Sequence, residues 1–254
     1  MRITGTGGLL FAATLIALGL FGLIQGGLGA IWQPVPKDLP FQEPLAYLCA
    51  IVSLIGGAGL LAGRFALPAA RLLSTALLLW ILAFRAPAIL RAPLSIGSWE
   101  NCAETTVIAS AAIILAGRPG IARALYGLSM IVFGLAHFGY LSETASLVPG
   151  WLPEPVAWAG FTGGAYIAAG LAVLSGRRAR LAAMLSALQM GGFTLLVWMP
   201  IITASGPKTD FQWNETVLSG VLTLAGWVIA ESYKDAGMPR SMIALQSRFR
   251  GKIP

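Results

Sequence analysis

Apolar segments of about twenty residues, the length a helix needs to cross a bilayer core, follow one another along this chain, and the marks that flank them repeat once. The first half carries Glu43-Pro44, a glycine-rich run closing at Gly63-Arg64, an Arg71-led run reaching Pro87, and Trp99-Glu100-Asn101 ahead of Glu104-Thr105. The second half carries Glu154-Pro155, a glycine-rich run closing at Gly176-Arg177, an Arg180-led run reaching Pro200, and Trp213-Asn214-Glu215-Thr216. In hydrocarbon each backbone N–H and C=O must be satisfied within the protein, so such segments are helices. The pattern predicts eight transmembrane helices, over 8–31, 44–63, 71–90, 101–117, 121–140, 155–175, 181–202 and 213–231. It reads as an all-α polytopic membrane protein built from two four-helix repeats, 1–120 and 121–233, followed by a basic tail, 234–254. Four crossings per repeat make the halves parallel, related by an axis along the membrane normal. Segment 8–31 matches 121–140, which favours a retained first helix over a cleaved signal.

Composition excludes a water-soluble domain. The chain is 57% hydrophobic and 11% charged, against about 25% charged in soluble domains. A net charge of +7 could suggest nucleic acid, but its distribution argues otherwise. Basic residues such as Arg64, Arg71, Arg118, Arg123, Arg177 and Arg180 fall at one set of segment ends. Acids such as Asp38, Glu43, Glu100, Asp210 and Glu215 fall at the other. This bias places both termini in the cytoplasm, with lipid rather than nucleic acid as the partner. No phosphate-binding glycine loop, dinucleotide fingerprint or serine triad is present. One histidine and two cysteines provide no metal or haem ligand set. Nothing in the pattern defines an enzymatic reaction.

Depth selects the candidate site residues. At 1.5 Å per residue, Arg85 and His137 each lie roughly 21 Å from the basic side, Glu104 roughly 20 Å and Glu215 roughly 24 Å. They share one layer in the outer third of a core about 30 Å thick. Charges at such a depth face a partner or a wet cavity. Segments 107–117 and 217–230 are short, so their helices must include the polar turns at Glu104 and Glu215, and paired short segments point to a binding site. Helix capping, or an ion pair such as Arg85 with Glu104, is the structural alternative. His137 falls opposite Ala30 or Ile31 of the first half, and Arg85 opposite Trp198. The imidazole could handle a proton beside Glu215 or Asp210, or serve only packing. Trp99, Trp213 and Asn214 flank the layer, and Gln189 and Gln25 could line a polar cavity.

Cys49 and Cys102 lie toward the outer side, where they could form a redox dithiol or pack as small apolar groups. Gly59 with Gly63, and Gly160 with Gly164, have the spacing that allows close helix contact. The tail after Lys234 could lie on the inner leaflet as an amphipathic helix, or remain irregular.

The second half resembles the DoxX family of small four-helix bacterial membrane proteins. The resemblance rests on Gly134-Leu135-Ala136-His137-Phe138, Leu147-Val148-Pro149-Gly150-Trp151-Leu152-Pro153, and the run from Trp158 through Phe161-Thr162-Gly163-Gly164-Ala165-Tyr166 to Ala169-Gly170-Leu171. It covers about 125–230, and the first half is similar only in outline. It implies a four-helix unit associated with redox chemistry, including sulfur oxidation and thiol-redox complexes. The leading expectation is a redox-associated or accessory subunit that holds a quinone, a lipid-like ligand or a partner protein near the outer leaflet. The partner would be a membrane or periplasmic redox protein, or a second copy in a homodimer. The alternatives are a small-solute transporter between the two repeats and a purely structural subunit.

Overall fold

The computed structural model describes residues 5–234, which leaves the basic tail outside the described residues. All regular structure among them is helical. Eight long helices form: α1 (Thr6–Gln25), α2 (Gln42–Leu61), α3 (Ala66–Trp80, continued through Ile81–Arg85 and Ala86–Arg91) and α4 (Ile96–Leu115). The second set is α5 (Pro119–Gly139), α6 (Pro155–Ser175), α7 (Ala179–Phe193, continued through Thr194–Trp198 and Met199–Thr203) and α8 (Asp210–Glu231). Six of these, α1, α2, α3, α5, α6 and α7, are long and apolar enough to cross a membrane. Leucines 181, 185, 188 and 195 leave one face of α7 exposed. A continuous apolar face of this kind suits lipid rather than water.

The local sequence explains where the helices start, stop and widen. Ser95 caps α4 by accepting from Ser98 N–H, and Thr209 with Gln212 forms a capping box on α8. α3 and α7 each open into a π-turn, Ile81–Arg85 and Thr194–Trp198. Each turn lies two residues before a proline, Pro87 or Pro200. Proline cannot donate to the preceding turn and its ring crowds the carbonyl there, so a widened turn relieves the conflict. α1 does not reach residue 31 as the apolar run implied. It stops at Gln25 because Gly26 takes a left-handed conformation, φ 69°, and its N–H closes on Gly22 O. The chain then re-enters as a short 3₁₀ turn, Ala30–Trp32, with all three residues buried.

Consecutive helices pack side by side within each set of four. Across the sets, α4 packs on α5, α8 packs on α1, and α4 meets α8. These two helices are the centre of the bundle: Val107–Leu115 of α4 is buried without interruption, as are Val221, Ala225 and Ile229 of α8. A helix wrapped by other helices needs no lipid-facing stripe, so α4 and α8 can be the more polar members.

Close approach uses Gly59, where a Cβ would lie 2.7 Å from Ala69 Cβ, but elsewhere it falls at other glycines than the small-residue spacing suggested. A Cβ on Gly19 would lie 2.6 Å from Leu54 N and 2.7 Å from Ala50 O, and one on Gly134 would lie 2.5 Å from Gly163 O. By contrast, Gly164 has open space around it and Gly160 meets nothing nearer than 3.9 Å. The tight α5–α6 contact therefore uses Gly127, Gly134, Gly163 and Gly170, and the Gly160/Gly164 expectation is replaced.

Candidate functional site

A cavity of 380 Å³ opens among α5, α6 and α7, with α4 and α8 closing one side. It lies at the end of the bundle that carries loops 26–41 and 140–154, and Leu147, Val148 and Leu152 of the second loop line its mouth. Most of the wall is apolar or aromatic, including Phe133, Tyr166 and Phe193. The polar groups are few: Glu100 and Glu104 of α4, His137 of α5, Gln189 of α7, and hydroxyls such as Thr162 and Ser219. A largely apolar cavity with a few convergent polar groups has the form of a small-molecule site.

Each polar side chain is held by its own element. The His137 ring stands edge-on to Tyr166, with centroids 5.4 Å apart, and tilted against Phe193 at 5.7 Å. Its Nδ1 lies 2.8 Å from Phe133 O. A carbonyl only accepts, so Nδ1 carries the proton and a neutral ring leaves Nε2 as an acceptor. Gln189 donates through Nε2 to Thr162 O at 3.0 Å, bridging α7 to α6. Glu104 and Glu100 are one helical turn apart on α4, and neither carboxylate has a hydrogen bond or ion pair among the described residues.

Arg85 is buried, 3% exposed, at the end of the α3 π-turn. It does not form the ion pair with Glu104 that the sequence allowed. Its Nε donates to Thr105 Oγ1 at 2.9 Å, and its two terminal nitrogens donate to the carbonyls of Gln33 and Pro34. All three guanidinium nitrogens are thus spent on holding the 28–34 loop to α4. Glu104 still lies within electrostatic reach of Arg85, Glu215 and Glu100.

The remaining predicted residues separate from the cavity. Glu215 neighbours Glu104 and Glu100 electrostatically but does not line the cavity. Asn214 donates to Gln33 Oε1 at 3.0 Å, tying α8 to the first loop. Asp210 is exposed at the start of α8. Trp99 donates to Pro93 O at 2.9 Å, and it and Trp213 are exposed, as membrane-surface tryptophans are. His137 accordingly shares the cavity lining with Glu104 and Glu100, and not with Glu215 or Asp210. Both thiols are free, Cys49 buried in α2 and Cys102 partly buried in α4. Gln25 ends α1 and does not reach the cavity.

Sequence reasoning missed Glu100, Tyr166 and Trp158. Glu100 was legible, since it precedes Glu104 by four positions and so shares its helix face. Tyr166 carries no such sign in an aromatic, glycine-rich helix. Among the described residues no group of His, Cys, Asp and Glu is arranged to hold a metal ion. Neither a protein-family model, nor a curated protein, nor a solved structure matches the chain.

Proposed function

We propose that this integral membrane protein is a tandem DoxX-like bundle of eight crossings whose second half holds one lipid-like amphiphile, of which a membrane quinone is one class, as an accessory to a redox assembly. The observation that carries the reading is the 380 Å³ cavity with its apolar wall and its polar end at Glu104, Glu100 and His137. Its mouth lies among the loops, at the membrane end that the charge bias assigns to the outer leaflet of a bacterial inner membrane.

The duplicated arrangement has independent geometric support. Gly19 seats against Ala50 and Leu54 as Gly134 seats against Gly163 and Ile167. Phe41 and Glu154, which precede α2 and α6, both take left-handed backbone conformations. The π-turns of α3 and α7 fall at matching places. In this register Gly22, Ser53, Ala76 and Trp80 of the first half match His137, Tyr166, Gln189 and Phe193 of the second. Gly22, rather than Ala30 or Ile31, is then the partner position of His137.

A solute path between the halves gains less support, because the seam residues Val107, Ala111, Val221 and Ala225 are wholly shielded and packed. Native mass spectrometry of protein extracted gently from its own membrane tests the proposal. The expected result is a reproducible added mass of one lipid-like molecule per chain. A bare chain throughout, or one associated only with another protein, would favour a structural subunit.

A further inference from the structure

We infer that the amphiphile held in this cavity has a cationic, hydrogen-bond-donating head, as a long-chain alkylammonium does, rather than a quinone head that only accepts. The inference rests on the reading of the cavity as a ligand site and narrows what that site takes.

The argument is an account of donors and acceptors. Glu100 and Glu104 bring two carboxyl groups to the cavity, with no hydrogen bond and no ion pair from the protein. His137 has committed its Nδ1 proton to Phe133 O, which leaves the Nε2 lone pair. Gln189 donates one amide N–H to Thr162 O, which leaves its second N–H and its amide oxygen. The Thr162 hydroxyl donates back to Trp158 O, and Ser219 is paired with Thr194. At the carboxyl end Glu104, Glu100 and His137 Nε2 are free to accept, while the free donors along the wall, the Tyr166 hydroxyl beside Gln189 and one Gln189 N–H, are neutral. The unspent indole N–H groups of Trp158 and Trp198, near the loop ends of α6 and α7, are neutral donors and do not offset the charge of two carboxylates.

No lysine or arginine lines the cavity, and Arg85 directs three of its five N–H donors to Thr105, Gln33 and Pro34 and makes no ion pair with Glu104. Carboxylates withdrawn from water either gain a partner of opposite charge or take up a proton. The rings of Phe133, Tyr166 and Phe193 line the same cavity, and aromatic faces attract a cation. An ammonium head would donate to Glu104 and Glu100, and its alkyl chain would lie along the apolar wall. A protonated carboxyl would instead donate to a quinone carbonyl, and the quinone titration below reports that case.

The test uses the full chain in nanodiscs of zwitterionic lipid, titrated separately with decylamine, decanol and decylubiquinone and followed by thermophoresis. Saturable binding of one decylamine per chain, at least tenfold tighter than decanol, is expected. Glu104→Gln should weaken decylamine at least tenfold, whereas Glu143→Gln, on the exposed 141–146 helix, should leave it unchanged. The comparison of decylamine with decanol needs no variant and stands if Glu104→Gln fails to fold. Saturable binding of decylubiquinone with no preference for decylamine over decanol would overturn the inference and leave the amphiphile reading in place. Absence of saturable binding by all three, together with a bare chain in native mass spectrometry, would overturn both.

Discussion

Trp32 donates its indole N–H to Ser53 Oγ at 3.0 Å, at the place that the proposed duplication matches to the cavity among α5, α6 and α7. The same ring stands edge-on to Trp80, with centroids 5.1 Å apart, and Trp80 leans on Phe84 at 4.3 Å. Ser53 matches Tyr166 and Gly22 matches His137, so small residues have made room for an aromatic side chain supplied by the chain itself. In the second half the 140–154 loop stays at the mouth and the space remains open. Under the proposed duplication, the first half is plugged by its own Trp32 and the second is open.

Trp32→Ala should therefore leave a void. Losing a large aromatic from a shielded site costs about 3–5 kcal/mol when the surroundings cannot close. Reversible unfolding in mixed micelles should show that loss. Ligand binding in the second half should stay within about twofold of wild type, since neither Trp32 nor its partners Ser53 and Trp80 line the cavity. A large drop in affinity would mean that the plug and the cavity are coupled.

The glycine contacts give a prediction that runs against propensity. Alanine is usually better than glycine inside a helix by about 1 kcal/mol. At Gly19 and Gly134 the new methyl would meet neighbouring backbone at 2.6 Å and 2.5 Å, and backbone cannot rotate aside. Gly19→Ala and Gly134→Ala should each destabilise by about 1–3 kcal/mol. Gly164→Ala, with open space around it, should be neutral or stabilising. The same micelle unfolding assay ranks all three, and equal effects would refute the close approach.

Much of this arrangement was visible in the sequence, for physical reasons that also mark its limits. Segment length and apolarity disclose helices because the bilayer has a fixed thickness. Counting rise per residue brought Glu104 and His137 to one depth, and both line the cavity. The end of α1 was obscured because Leu28, Ala30 and Ile31 continue the apolar run, although Gly26 ends the helix. Hydropathy cannot tell a helix that continues from a turn that folds back into the protein. Nor could it say which half stays open, since that depends on where the loop after the first helix goes. The Arg85–Glu104 pairing failed because the backbone carbonyls of Gln33 and Pro34, invisible to side-chain pairing rules, took the guanidinium.

At the opposite end of the bundle, the two sets of helices are clamped through the end of α8. Glu231 accepts from Gly7 N–H and Thr6 Oγ1, each at 3.1 Å, and so caps the N-terminus of α1. Arg123 of α5 donates to Ser232 O at 2.6 Å and lies 3.9 Å over the Tyr233 ring. A negative charge at a helix N-terminus and a positive charge at a helix C-terminus are both favourable. Glu231→Gln should cost about 0.5–1 kcal/mol and Glu231→Ala about 1–3 kcal/mol, the latter leaving a backbone donor unpaired. Lys234→Ala should cost less than about 0.5 kcal/mol, because the 3.5 Å pair with Glu231 is half exposed on the lysine side. A Lys234→Ala loss as large as that of Glu231→Ala would show that the ion pair, not the cap, holds this end.

Whether α4 crosses the membrane decides between eight crossings and six, and it can be measured directly. α4 is twenty residues long, sufficient to span, but its first turns carry Glu100 and Glu104. Its shielded position explains how it could span without being as apolar as its neighbours. In a background with Cys49 and Cys102 replaced by alanine, Leu94→Cys and Arg118→Cys report its two ends. Both positions are exposed, Leu94 at 95%. An impermeant maleimide applied to intact cells should label position 94 and reach position 118 only after the membrane is opened. The same contrast is expected across α8 for Gly206→Cys and Lys234→Cys. Labelling of 94 and 118 from one side would make α4 a helix that enters without crossing, and the parallel eight-crossing arrangement would have to be abandoned.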